Sequence, residues 1–239
     1  MTYRISRLLF LLFLTSASCL SGYAQDIPNK NWSAEKIKGT RFYPYATYNG
    51  YPFLNDRWVP GKVEFADGEI SDTLNIRYSS FKDDLVYYNK NNTTQIVIDK
   101  ASLRGFSFTG NDGRQRVFRK QFYDGFWKGD RFFEVLSDKK IALLAYRKVN
   151  LNSTWAYRDG NGILKNMEYA PEYTFYFYSP DKGYSSVKIS RASLLSKFDP
   201  TLQKSIKKLL RKKRIRIDGE DSFIQAWEAI QNEGYQVMF

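Results

Sequence analysis

The stretch Gly61-Lys-Val-Glu-Phe-Ala-Asp-Gly-Glu-Ile-Ser-Asp-Thr-Leu-Asn-Ile-Arg-Tyr78 decides the fold class. Val63 and Phe65 alternate with polar residues, Asp67-Gly68 marks a turn, and Ile70, Leu74, Ile76 and Tyr78 are expected to share one face. Alternation at period two is the signature of a half-buried strand, and Asp-Gly between two such runs is a strong hairpin signal. The same pattern continues through Leu85–Tyr88, Gln95–Ile98, Gly105–Phe108, Arg116–Phe122, Phe132–Leu136, Ile141–Tyr146, Trp155–Tyr157, Tyr173–Tyr178 and Val187–Ile189. Turn chemistry separates the runs: Asn111-Asp112-Gly113, Ser137-Asp138-Lys139-Lys140, Asp159-Gly160-Asn161-Gly162 and Pro180-Asp181-Lys182-Gly183. Short strands at this spacing predict an antiparallel meander over residues 59–190. A curved sheet, a partly open barrel and a sandwich fit the pattern equally.

The period changes after Ser190. Asp199 is a good N-cap and Pro200 suits the first helical position. Leu202, Ile206, Leu209 and Leu210 then form one apolar stripe. A second helix is expected to start between Asp218 and Asp221, bury Phe223, Ala226, Trp227 and Ile230, and end at Gly234. Residues 191–239 therefore read as two amphipathic helices appended to the β domain. The whole is an α+β arrangement dominated by antiparallel β.

Upstream, Arg4, Arg7 and the apolar run Leu8–Leu14 precede Gly22-Tyr23-Ala24, the layout of a secretory signal over residues 1–24. The chain is expected to be exported to the periplasm or the outer membrane. Cys19 as a lipid-bearing terminus is a minor alternative. The chain has one Cys, Cys19, and no His. Beyond the signal it thus has neither thiol nor imidazole, so disulfides, structural zinc and His- or Cys-based catalysis fall away. No cofactor or metal is expected. The formal charge of +12 becomes +10 without Arg4 and Arg7. Such a balance favours anionic envelope lipid or glycan, or an envelope protein, as partner; nucleic acid does not suit the compartment. No later segment is long and apolar enough to span a membrane as a helix.

Residues 25–58 carry Pro28, Pro44 and Pro52 among many aromatic rings. They predict an extended segment lying on the body. Tyr45, Tyr48, Tyr51 and Trp58 either pack there or form an aromatic binding lip. Lys204, Lys207, Lys208, Arg211, Lys212, Lys213, Arg214 and Arg216 are the densest basic run. They could hold phosphate through charge-assisted hydrogen bonds or lie on an anionic membrane. The plainer reading is cations favoured at a helix C-terminus, followed by Arg214-Ile215-Arg216-Ile217 as a charged edge strand. Ser-x-x-Lys occurs four times, only Ser205/Lys208 in an expected helix, without the partners catalysis would require. Tyr235–Phe239 has the alternation of a terminal barrel strand but is too short to span.

Gly22-Tyr-Ala-Gln25, Tyr51-Pro-Phe-Leu-Asn with Trp58-Val-Pro-Gly-Lys-Val-Glu-Phe-Ala-Asp-Gly68, Phe132-Phe-Glu-Val-Leu with Leu143-Leu-Ala-Tyr146, and the tail from Ser193-Leu-Leu to Phe223 resemble uncharacterised exported proteins of Bacteroidetes-type bacteria. The resemblance implies a periplasmic or outer-membrane-associated β-rich protein and carries over no functional residue. The leading functional expectation is a non-catalytic envelope binding or scaffold protein. A carboxylate-dependent glycan hydrolase and a small lipid or ligand carrier are the alternatives.

Overall fold

The computed structural model describes residues 33–126, 128–159 and 162–239, excluding the side chains of 154 and 156–165. The expected signal segment and Cys19 lie outside the described residues. Among the described residues twelve strands form one sheet: β1 Gly39–Arg41, β2 Asn49–Gly50, β3 Val59–Phe65, β4 Leu74–Ser79, β5 Asp84–Asn89, β6 Thr94–Ile98, β7 Leu103–Thr109, β8 Gln115–Tyr123, β9 Gly129–Ser137, β10 Ala142–Asp159, β11 Gly162–Ser179 and β12 Gly183–Val187. Three helices follow: α1 Arg191–Leu195, α2 Pro200–Lys212 and α3 Glu220–Asn232. Strand order is β1-β6-β5-β4-β3-β7-β8-β9-β10-β11-β12, with β2 alongside β11. The strands form one open sheet rather than the two packed sheets of a sandwich, which agrees with a curved sheet or a partly open barrel.

Alternation builds the first core. Val63 pairs with Phe106, and Phe106 with Phe118, in register across β3, β7 and β8. Their side chains meet Ile76, Tyr78, Leu85, Leu103 and Phe132 in one buried cluster. Phe106 and Phe118 stack at 4.6 Å. The Asp67-Gly68 turn forms as expected. Gly68 takes a φ of +90°, a left-handed value that glycine tolerates, and its N–H donates to Phe65 O.

The second core lies between β10–β12 and the helices. Leu143, Ala145, Phe175 and Phe177 meet Ile206, Leu210, Phe223 and Trp227. Phe177 stacks on Trp227 at 4.1 Å. Burying that many large side chains at ~25 cal/mol per Å² holds the helices on the sheet. Asp199 caps α2 by accepting from Thr201 N, with Pro200 in the first turn, as the sequence predicts.

Several expectations change. Trp155–Tyr157 and Tyr173–Tyr178 are not separate short strands but parts of one long hairpin of two 18-residue strands, β10 and β11, paired as far as Asp159 and Gly162. Ile70 is 52% exposed and does not join the face of Leu74, Ile76 and Tyr78. α1, capped by Ser190 accepting from Ser193 N, makes the helices three rather than two. Arg214–Ile217 is a connection between α2 and α3, not an edge strand. Tyr235–Phe239 is not a strand either; Met238 N donates to Lys197 O and Val237 joins the helical core.

Candidate functional sites: an arginine cradle and an aromatic groove

At the end of α2 the chain turns sharply. Ile215 N donates to Leu210 O and Arg214 N to Arg211 O. This is the double hydrogen bond that closes many helices, and it places Arg214 where glycine is usual. Arg214 has a φ of +55°. For an L-residue the left-handed region costs roughly 1–2 kcal/mol. Ile215 folds back onto the helical core beside Leu210, so the turn is fixed by packing and Arg214 bears the strain.

Arg191, Arg211, Arg214 and Arg216 then surround a cavity of about 480 Å³ floored by Leu210, Ile215 and Ile217. None of these four arginines has a carboxylate partner among the described residues. Six arginines elsewhere are paired: Arg57 with Asp56, Arg104 with Glu64, Arg114 with Asp221, Arg119 with Asp138, and Arg116 and Arg147 with Glu134; Arg41, Arg77 and Arg131 have no carboxylate partner among the described residues, and they do not share a cavity with these four. Helix ends explain Arg211, since cations are favoured at the C-terminus. They do not explain Arg191, which opens α1 at the end where the macrodipole disfavours a cation. Of the eight basic residues singled out in the sequence, Arg211, Arg214 and Arg216 line this cavity. Lys204, Lys207, Lys208, Lys212 and Lys213 are exposed and do not line it. Arg191 was not among them; it lies 20 residues before Arg211, and no local pattern connects the two.

The aromatic residues of the extended segment also come together. Tyr45, Tyr48, Tyr51 and Trp58 line a groove of about 640 Å³, with Tyr169 of β11 and Arg77 of β4. The segment is held at both flanks of the sheet. Phe42 N donates to Gln95 O, β2 pairs in parallel with Glu168 and Tyr169, and Tyr169 Oη donates to Ala46 O. Packing and lip divide residue by residue. Tyr45 is half-buried against Phe42, Phe53 and Phe81, with its hydroxyl 2.9 Å from Ser79 Oγ. Its pKa is raised by burial. Tyr51 is 63% exposed and Tyr48 40%. Arg77 was not foreseen. Its guanidinium lies 3.9 Å from the Phe53 ring centroid, and burial lowers its pKa.

The two buried carboxylates among the described residues serve the fold. Asp83 accepts from Tyr78 Oη at 2.7 Å and Lys100 Nζ at 2.9 Å. Burial raises its pKa, against the opposing pull of Lys100 and Tyr78. Glu134 accepts from Arg147 Nε at 2.5 Å and from Arg116 at 3.1 Å. Arg147 in turn grips Glu220, at the start of α3, through two bonds of 2.7 and 2.6 Å. This network joins the two cores.

Comparison with protein-family models, characterised proteins and solved structures finds no match to this chain.

Proposed function

We propose that this chain is a non-catalytic binding protein of the cell envelope that holds phosphate groups in the cradle of Arg191, Arg211, Arg214 and Arg216. The observation that carries the reading is the contrast in pairing. Six arginines elsewhere have acidic partners, while these four converge on one cavity without one among the described residues. Arginine offers planar paired donors that match phosphate oxygens. The strain at Arg214 supports the same reading, because a residue kept in a glycine position against its backbone preference points to a role for its side chain. The cations that face Asp83 and Glu134 support a binding role over a carboxylate-dependent reaction, since both acids are already engaged.

The test is retention on vesicles of phosphatidylglycerol in phosphatidylcholine, alongside calorimetry with inorganic phosphate. A basic residue near an anionic surface contributes about 1 kcal/mol, so Arg211→Gln with Arg214→Gly and Arg216→Gln should weaken retention roughly a hundredfold. Exchanging Lys204, Lys207 and Lys208 for Gln should weaken it far less. Binding of vesicles and phosphate together identifies the phosphate group itself; binding of vesicles alone identifies the lipid surface. Equal losses from the lysine and arginine sets, or none from either, would overturn the cradle.

A further inference from the structure

We infer that the aromatic groove is a second, separate binding site, and that its ligand is a carboxylate-bearing sugar unit of an acidic glycan. The site is prepared for a ring. Tyr48 is backed by Tyr169 at 5.7 Å and Trp58 by Tyr88 at 5.6 Å. Rings braced on one side and reachable on the other present flat apolar platforms at little entropic cost. Asn49 and Gln95, two residues with amide side chains, are among those that line the same groove. Sugars match this mixture: their C–H faces lie on aromatic rings while their hydroxyls bond to amides. The volume of about 640 Å³ lies within the usual span of ligand sites.

Arg77 adds the acidic requirement. Its Nε donates to Asn55 O at 3.2 Å and its plane rests on Phe53. Two neighbours therefore fix the guanidinium, leaving its terminal amino groups without a hydrogen bond among the described residues. Asp56 is close enough to raise the Arg77 pKa against the larger effect of burial. Yet Asp56 bonds instead to Asn111 Nδ2 at 2.6 Å and pairs with Arg57 at 3.7 Å. A half-buried, oriented arginine with two paired donors still open is suited to a carboxylate. The groove and the arginine cradle share no lining residue.

The test is calorimetric titration of the full chain with short oligogalacturonate and with its methyl ester, which keeps the rings and removes the charge. The acid form should bind at least about tenfold more tightly than the ester, the worth of one charge-assisted bidentate contact. Arg77→Gln should bring the two forms level. Tyr51→Ala, at an exposed ring, should weaken both forms alike. Arg211→Gln with Arg216→Gln should leave both unchanged, which separates this site from the cradle. If Arg77→Gln fails to fold, as judged by circular dichroism, the acid-to-ester ratio of the unaltered protein decides. Equal affinity for the two forms, binding of neither, a loss that follows the cradle arginines, or binding of a proline-rich peptide in place of the sugar would overturn the inference.

Discussion

Arg147→Met tests whether the charge network at the junction of the two cores holds them together. The Arg147 side chain is 2% exposed, and its bonds to Glu134 and Glu220 are its principal polar contacts. Burial opposes its charge, but Glu220 and Glu134 outweigh that cost and hold its pKa above the ordinary value. Removing one member of a buried pair costs about 3–5 kcal/mol, because the remaining charge is left without compensation. Here Glu134 keeps Arg116 at 3.1 Å, and Glu220, 23% exposed, can reach water. The expected loss is therefore at the low end, about 3 kcal/mol. With a urea slope of about 2–3 kcal/mol per M, the midpoint should fall by about 1–1.5 M. Arg147→Met combined with Glu134→Gln removes the buried carboxylate that is left with Arg116 alone, while Arg116 keeps Asp112 at 2.7 Å, and should recover at least about 1 kcal/mol of the loss. A single variant that loses under about 1 kcal/mol, or a double variant less stable than the single one, would refute this reasoning.

Asp83→Asn should alter how stability depends on pH. The folded-state pKa of Asp83 lies above its ordinary value of 3.8, so the folded chain takes up this proton first as the pH falls. Its contribution is complete below that ordinary value and is lost as the pH rises through the folded pKa. The stability gap between parent and variant should thus be widest in acid and narrow toward neutrality, as thermal melts across that range would show. Gly50→Ala should loosen the aromatic groove. Gly50 has a φ of +77°, and an added Cβ would lie 2.2 Å from Tyr169 O, so faster amide exchange around β2 and a loss of about 1–2 kcal/mol are expected.

The fold was legible where local chemistry coincides with burial. Asp67-Gly68 turns because glycine accepts the left-handed backbone there, and Asp199-Pro200 starts α2 because both residues suit the same helix end. The β10–β11 hairpin was not legible at its full length. Its distal half carries Asn150, Asn152, Ser153 and Lys165, and a register shift lies between Ser153 and Trp155. Alternation is a signal of one buried face, and a polar ribbon with a bulge does not produce it. The pairing of β3 with β7 was also hidden, since the intervening strands give no sequence mark of which neighbour lies across the sheet.

The candidate sites were half legible, for a reason that bears on their function. Arg214-Ile215-Arg216-Ile217 reads as a strand because its apolar residues are two apart. In the structure both isoleucines follow a helix-closing turn at Arg214, Ile215 completing its hydrogen bonds and Ile217 lying on the exit, and both pack against the helical core. A glycine at position 214 would have announced that turn. Arginine there conceals it and carries a backbone cost that a glycine would avoid. The packing of Ile215 beside Leu210 would form equally well with glycine, so the fold itself does not account for the arginine. Arg77 is concealed differently: it occupies an ordinary polar position of an alternating strand, and only tertiary structure sets it over Phe53 at the edge of an aromatic groove. In both places the sequence pattern reports the backbone, whereas the charge left without an acidic partner emerges only when distant segments meet.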